Sequence, residues 1–338
     1  MKTPHALRLA LLSSCVFAAT HAGAHDLPLG DGAISTTPQI DNVYSCQTRF
    51  GGGGAFRDGG WINGDTWDSD LKPVVDGAID WPSEIAISRE GDARVIRANN
   101  LPDHPTGVFG IQPSDDAYAY DRNPNRIRAQ NILLTLPAKP TAAAEESCVP
   151  MGMIGFATSG AAIFNALDAL GRDAPAHEIQ DACNGHPERN GQYHYHDLSA
   201  CLTDTRNEAH GHSDLAGYAL DGFGIYGLHG EDGEVVTNAD LDACHGHVHT
   251  VIWDGEPTEI YHYHFTEEYP YTIGCFHGTP TQLRTGRGMA AGPDIDGPNG
   301  LAPGAPAGPR ALRAPPPRRH LFGRPLFRPP LRGYERRG

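Results

Sequence analysis

The tetrapeptide Tyr-His-Tyr-His occurs twice in this chain, at residues 193–196 and at residues 261–264. On a β-strand, alternate side chains point to opposite faces, so each copy predicts a strand with imidazoles on one face and phenols on the other. Each copy follows a similar preface, at residues 181–186 or 242–247, and precedes a cysteine, Cys201 or Cys275. The matched frames predict an internally duplicated region in which two strands carry pairs of histidines.

The first 24 residues have the features of a secretion signal. Lys2 and Arg8 precede an apolar stretch at residues 9–19, and Ala22-Gly23-Ala24 fits the small-x-small rule for cleavage. An alternative is a lipoprotein box that ends at Cys15, but the apolar run between Arg8 and that box is short. We therefore expect a periplasmic or secreted protein. No other segment approaches the ~20 apolar residues that a transmembrane helix needs.

Six cysteines remain after the signal, and an even number in an exported protein predicts disulfides. The duplication favours one disulfide around each tetrapeptide, Cys183–Cys201 and Cys244–Cys275, which leaves Cys46 to pair with Cys148. The alternative is a set of metal-binding thiolates. The pairs lack the short Cys-x-x-Cys spacing of zinc sites, so disulfides are preferred.

Composition divides the chain into five regions. They are a signal at 1–24, a flexible leader at 25–42, a β-rich half at 43–147, the duplicated half at 148–280, and a tail at 281–338. Residues 43–280 are also compatible with one continuous domain. Short apolar runs between glycine and proline turns predict a mainly β fold with a few short helices, at 175–181 and 237–242, and a tight turn at Asp221-Gly222.

Charge is unevenly distributed along the chain. Residues 25–280 hold only 13 of the 26 basic residues but 38 of the 41 acidic ones, so this region repels nucleic acid and attracts cations. The tail has 11 arginines, 11 prolines and 10 glycines, a composition that predicts disorder. Its final stretch, with Leu321 and Phe322 among the arginines, is suited to contact an anionic surface. The alternative is an inert solvated tail.

Thirteen of the 18 histidines lie between His177 and His277. Histidine is the commonest side-chain metal ligand, and sets of three or four imidazoles suit copper or zinc. If the two strands are neighbours, their imidazoles share one pocket, and the histidines of the two prefaces complete the set of metal ligands. The predicted ligands are His194, His196, His262, His264, His186 and His247. The alternative is that these rings form hydrogen bonds in a tyrosine-rich core.

Further histidines are near these motifs in sequence. The segments 210–212 and 245–249 hold surplus candidates, and each of these histidines alone is explained more simply as exposed or hydrogen-bonded. Asp221 is the first candidate for an acid or base beside a metal. No Gly-x-Ser-x-Gly elbow, zincin motif or nucleotide fingerprint is present.

Several segments together resemble the YHYH-domain family of exported proteins. They are residues 101–107, Cys183-x-Gly-His186, both tetrapeptides, residues 217–227 and Tyr269-Pro270-Tyr271, so the resemblance spans residues 43–280. It implies an association with metal handling or a chaperone-like role, and it implies no specific reaction. Gly224 stands where the family pattern has proline, and we expect a looser turn there.

The motifs predict an exported protein that binds copper or zinc through paired His-x-His strands, for metal handling. One alternative is a metal-dependent hydrolase or oxidase, which needs an open metal position and a nearby acid or base. Another is a structural or binding module without metal, in which the histidine and tyrosine strands are core.

Overall fold

Short β-strands make up most of the regular structure in this computed structural model, which describes residues 26–202 and 211–283. The predicted signal lies outside the described residues, as does the predicted tail beyond residue 283. The fold is mainly β with a few short helices, as the sequence predicts. The helix predicted at 175–181 is shorter, at Ala174–His177, and the one predicted at 237–242 is a 3-10 turn at Asn238–Asp240. In the described ranges, no helix is long and apolar enough to cross a membrane.

The strands of the N-terminal half belong to several small sheets. Their bounds are β1 (Asp26–Pro28), β2 (Ile34–Ser35), β3 (Val43–Tyr44), β4 (Ile62–Asn63), β5 (Thr66–Asp68), β6 (Ile85–Glu90), β7 (Ala93–Ala98), β8 (Ile132–Pro137) and β9 (Ala142–Ser147). Strands β6, β7 and β8 form an antiparallel three-stranded sheet.

The C-terminal half holds the strands of the largest sheet. Their bounds are β10 (Met153–Ala157), β11 (Ala162–Phe164), β12 (Gly185–Pro187), β13 (Tyr193–Tyr195), β14 (Leu215–Ala219), β15 (Gly224–Tyr226), β16 (Gly246–Trp253) and β17 (Glu256–His264). The last strand of this half, β18 (Phe276–Gly278), pairs with β9 instead. The helices of the described chain are α1 (Ala174–His177) and three 3-10 turns, Ser69–Leu71, Asp116–Ala119 and Asn238–Asp240.

Eight strands form one sheet in the order β12-β13-β11-β10-β14-β15-β17-β16. Each half of the sheet has the same connectivity: an antiparallel hairpin, then a parallel pair, then an antiparallel outer strand. The halves meet where β10 and β14 pair antiparallel. The two Tyr-His-Tyr-His segments therefore occupy equivalent places in the two halves, and the four strands β11, β10, β14 and β15 lie between β13 and β17.

The strand register places the histidines of both halves on one face of the sheet. Directly paired residues share a face, as do residues two apart on a strand. His194 pairs with Ala162, Ala162 pairs with Phe156, and Phe156 pairs with Tyr218. Tyr218 pairs with Gly224. Tyr226, two residues after Gly224 on the same strand, pairs with His264. The tyrosines at 193, 195, 261 and 263 consequently lie on the opposite face.

The prefaces fold into the same turn in both halves. Asp181 accepts hydrogen bonds from the backbone of Cys183 and Gly185 and from the Tyr193 hydroxyl, at 2.9, 3.2 and 3.0 Å. Asp242 does the same for Cys244, Gly246 and Tyr261. The glycine is required because the tyrosine ring lies against it: a Cβ on Gly185 would approach the Tyr193 ring to 2.2 Å.

The three-stranded sheet contacts the histidine face through one buried cation. The Arg94 guanidinium lies over the Tyr218 and Trp253 rings, 4.3 and 4.8 Å from their centroids, and pairs with Asp254 at 2.9 Å. Stacking of arginine on aromatic rings is favourable when the group is desolvated. Arg94 therefore ties β7 to the central strand β14 and to the outer strand β16 of the large sheet.

Disulfides join the three predicted pairs, Cys46–Cys148, Cys183–Cys201 and Cys244–Cys275. The leader predicted for residues 25–42 is wrong from Asp26 onward. Strand β1 pairs with β5, strand β2 pairs with β3, and the Gly30 N–H donates to the buried carboxylate of Asp173 at 2.8 Å. The polar composition of the predicted leader gave no sign of these pairings, because backbone hydrogen bonds between strands do not require an apolar periodicity.

Candidate metal centres

Three histidines of the first half converge at what we call the first centre. His194 and His196 come from the β13 segment, and His186 comes from β12, directly opposite His194 in the antiparallel register. The Nε2 atoms of His194 and His196 lie 3.1 Å apart, and the ring centroid of His186 is 4.6 Å from that of His194. All three side chains are buried.

Hydrogen bonds to the backbone determine which ring nitrogens carry protons. His194 Nδ1 donates to the Gln192 carbonyl at 3.0 Å, and His196 Nδ1 donates to the Asn165 carbonyl at 2.5 Å. A carbonyl oxygen can only accept, so each Nδ1 carries the hydrogen. Burial holds the pKa of His194 well below its ordinary value and lowers the pKa of His196 to about 4. Both rings are neutral at pH 7, and two Nε2 lone pairs face each other.

Five histidines of the second half converge at the second centre. His262 and His264 come from β17, His247 and His249 from β16, and His212 from the segment before β14. One ring nitrogen from each of the five lies within 4.8 Å of those of all the others. His262 and His264 are fully buried, and the other three are half-buried.

Backbone carbonyls orient the rings of the second centre in the same way. The Ile260 carbonyl accepts from Nδ1 of His262 at 3.0 Å. The Gly227 carbonyl accepts from Nδ1 of His264, and the Ser213 carbonyl from Nδ1 of His212, both at 2.7 Å. The Nε2 atoms of His212 and His262 then face each other at 3.3 Å. The Nε2 atoms of His247, His249 and His264 are buried and have no hydrogen-bond partner among the described residues.

Burial also disfavours the charged form of four rings of the second centre, those of His212, His247, His262 and His264. It lowers the pKa of His212 and of His247 to about 4, and that of His262 to about 2. The charged form is disfavoured by lost hydration, and repulsion among neighbouring imidazoles adds to the effect. Neutral rings with a fixed Nδ1–H and an inward lone pair are the form in which imidazole binds a metal ion.

A carboxylate lies beside the first centre. Glu178 follows α1, and its Oε2 atom is 3.5 Å from His186 Nε2 and 3.6 Å from His196 Nε2. Burial, followed by repulsion from Asp168, raises the pKa of Glu178 well above its ordinary value. A cation among the rings would reverse this shift by favouring the charged carboxylate. Sequence reasoning placed Glu178 in a short helix and missed it as a site residue.

All six predicted ligands lie in these clusters, but the prediction of one shared pocket is wrong. His186, His194 and His196 form one group, and His247, His262 and His264 belong to the other. Four strands lie between β13 and β17, so five spacings of about 4.8 Å place these two strands about 24 Å apart. Each tetrapeptide pairs with its own preface strand rather than with the other copy.

Some of the surplus histidines belong to the second centre, and others lie outside it. His212 and His249 join the second centre, although sequence reasoning explained each of them as an exposed or hydrogen-bonded ring. His245 is buried outside the centre and bonds to the Thr266 hydroxyl at 2.9 Å. His210 lies outside the described residues. The group His104, Cys183 and Cys201 offers no thiolate, because its cysteines form a disulfide.

Asp221 is not beside either centre. Its carboxylate accepts from the Tyr263 hydroxyl at 2.5 Å and from the backbone of Gly278 at 2.9 Å. Tyr263 lies on the face opposite the histidines, so Asp221 supports the tyrosine side of the sheet. The expectation that Asp221 is an acid or base at the metal is therefore wrong.

Comparison with known proteins places this region in one family. The family model described as YHYH protein matches residues 133–233 and 227–278, which include both centres. No curated protein and no solved structure matches the chain.

Proposed function

Residues 133–278 belong to the YHYH protein family, and we propose that this protein binds transition-metal ions, copper or zinc, at the two histidine centres. We propose further that it is an exported protein that handles these metals by storing, delivering or sensing them. Export is supported by the three disulfides, which persist in oxidising compartments, and by the signal-like N-terminus.

The observation that carries the proposal is the opposition of imidazole lone pairs. Nε2 atoms of neutral rings face each other at 3.1 Å in the first centre and at 3.3 Å in the second. Two buried acceptors at this distance repel each other and satisfy no hydrogen bond, which is costly in a protein interior. A metal ion between them turns the repulsion into ligation.

The spacing of the nitrogens also suits a metal. Zinc–nitrogen bonds are about 2.0–2.1 Å, so two ligands of a tetrahedral ion are about 3.3 Å apart. The two observed separations, 3.1 and 3.3 Å, are within about 0.2 Å of this value. Calcium and magnesium prefer oxygen ligands, whereas imidazole suits zinc and copper.

Metal counting on the full-length mature protein tests the proposal. Protein prepared without a histidine tag is stripped with chelator, incubated with zinc or copper, desalted and analysed for metal content. We expect two ions per chain for the wild type. His194→Gln with His196→Gln should remove one ion, and His262→Gln with His264→Gln should remove the other.

His277→Gln is the matched control for these substitutions. His277 belongs to the same half of the chain, but its ring stacks on Tyr261 at 3.8 Å, outside both centres. We expect this variant to retain both ions. A wild type that retains no stoichiometric ion, or variants that lose none, would contradict the proposed function.

A further inference from the structure

We infer that the two centres differ in ligand chemistry. The first is a four-ligand zinc site in which Glu178 binds the ion beside three imidazoles. The second is an all-imidazole site suited to copper(II). This inference rests on the proposed metal-binding function and specifies which ion each centre prefers.

Both centres share a core of three histidines. His186, His194 and His196 in the first centre match His247, His262 and His264 in the second, at the same places in each preface and tetrapeptide. The orienting carbonyls match too: those of Gln192 and Asn165 correspond to those of Ile260 and Gly227. The difference between the centres therefore lies in what completes each core.

Glu178 completes the first centre as a fourth donor. Its Oε2 atom is 3.5 and 3.6 Å from the Nε2 atoms of His186 and His196, while the Nε2 atoms of His194 and His196 are 3.1 Å apart. These three values are close to the edge of about 3.3 Å in a tetrahedral zinc site. The carboxylate is not among the donor atoms that all lie within 4.8 Å of one another, so its side chain must turn toward His194 to complete the tetrahedron. Three histidines and one carboxylate are a donor set that zinc accepts in four-coordinate sites.

The surroundings hold Glu178 in this position. The Lys72 ammonium donates hydrogen bonds to the backbone carbonyls of Pro175 and Glu178, so the segment that follows α1 is tied down. On the other side, Gly54 lies against the carboxylate: a Cβ there would be 3.1 Å from Oε1 of Glu178. Gly54 also has a φ of 75°, a conformation that favours glycine. The loop can cover the carboxylate closely because residue 54 has no side chain.

The second centre has no equivalent carboxylate. Aligning the two prefaces places Ala239 at the position of Glu178, and His249 at the position of Glu188. His212 and His249 complete the core instead, so that five ring nitrogens lie within 4.8 Å of one another. Five nitrogen donors meet the tetragonal coordination that copper(II) prefers, whereas four donors of mixed type suit tetrahedral zinc.

The test uses proteins with one intact centre. His262→Gln with His264→Gln leaves the first centre, and His194→Gln with His196→Gln leaves the second. Zinc and copper(II) affinities of each are measured by competition with a chromophoric chelator, with near-ultraviolet circular dichroism as the check of folding. Because copper binds nitrogen sites more tightly than zinc in general, the informative quantity is the copper-to-zinc affinity ratio. We expect this ratio to be at least about tenfold higher for the second centre.

In the protein that keeps only the first centre, Glu178→Gln should lower the zinc affinity by at least about tenfold, because a carboxylate that contacts the metal site is lost. Glu188→Gln is the matched control, since the Glu188 carboxylate accepts hydrogen bonds from the backbone of Asn190 and Gln192 rather than contacting the centre.

In the protein that keeps only the second centre, His249→Gln should lower copper affinity. Zinc-edge X-ray absorption of the first-centre protein, with Glu178 intact, should report three imidazoles and one oxygen ligand.

Each result distinguishes this inference from the proposed function. Unchanged zinc affinity in Glu178→Gln, or equal copper-to-zinc ratios at the two centres, would overturn the inference while two bound ions per wild-type chain would still support metal binding. A zinc-edge spectrum that fits only imidazole nitrogens would overturn it as well, even if the variant fails to fold. A wild type that binds neither ion would overturn both.

Discussion

The Nε2 atoms of His194 and His196 lie 3.1 Å apart while the Nδ1 atom of each ring donates to a backbone carbonyl. A hydrogen bond between the two Nε2 atoms would require one ring to be doubly protonated, and burial in this site opposes that charge. The two Nε2 atoms therefore share no hydrogen bond, which supports the proposed metal site at this pair. His212 and His262 repeat the relationship in the second half of the sheet.

Metal should stabilise the folded protein. Because the sites are assembled only in the native state, an ion at about 100 times its dissociation constant should add about 2.7 kcal/mol to the free energy of unfolding. Differential scanning calorimetry of stripped and zinc-loaded protein measures the shift in melting temperature. His277→Gln should show the full shift, and the variant with all four tetrapeptide histidines changed to glutamine should show none. An equal shift in that variant would point to binding elsewhere.

The stripped protein should lose stability as the pH falls. Three histidines of the two centres, His196, His212 and His247, have folded-state pKa values of about 4, below the ordinary 6.5. The unfolded chain therefore binds more protons than the folded chain between about pH 6.5 and pH 4, and stability present above pH 6.5 is lost through that window. Urea midpoints at pH 7.5 and pH 5 measure the effect. Identical midpoints would contradict burial of neutral rings.

Asp221→Ala should weaken the fold without changing the metal content. Removal of the carboxylate leaves the Tyr263 hydroxyl and the Gly278 N–H without their shared acceptor in a buried site, at a cost of about 3 kcal/mol. Urea unfolding measures the loss, and metal analysis should still find two ions per chain. Loss of an ion with unchanged stability would instead place Asp221 at a metal.

The disulfides around the two tetrapeptides should contribute separately to stability. Their sequence separations are 18 residues for Cys183–Cys201 and 31 for Cys244–Cys275. The chain-entropy model then predicts losses of about 3 and about 4 kcal/mol when each pair is changed to serine. Urea unfolding of the two double variants measures both values. A loss below about 1 kcal/mol in either variant would mean that the unfolded chain is already restricted near that pair.

The motifs of this chain predicted its strands and faces well because their signals are local. Alternation of histidine and tyrosine has the period of a strand, and the structure places those residues on opposite faces of β13 and β17. The repeated frame also predicted which cysteines pair, since Cys183–Cys201 and Cys244–Cys275 each enclose one copy of the tetrapeptide and only Cys46 and Cys148 then remain.

The arrangement of the centres could not be predicted, because strand order is not a local property. If the two tetrapeptides lay on neighbouring strands, their histidines would share one pocket. Instead, β13 and β17 each pair with strands of their own half. Glu178 reaches the first centre from a segment without a periodic ligand pattern, whereas His212 and His249 each lie two residues after another histidine. The signal that could have found His249 is its place two residues after His247, on the same face of β16.

Anomalous diffraction from crystals of the metal-loaded, untagged protein tests the central claim most directly. We expect two peaks, one in each histidine cluster, about 2.0–2.1 Å from the converging Nε2 atoms. Data collected at the zinc and copper absorption edges would identify the ion in each cluster. The absence of an anomalous peak from both clusters, with the imidazoles hydrogen-bonded to one another or to water, would contradict metal binding at these centres.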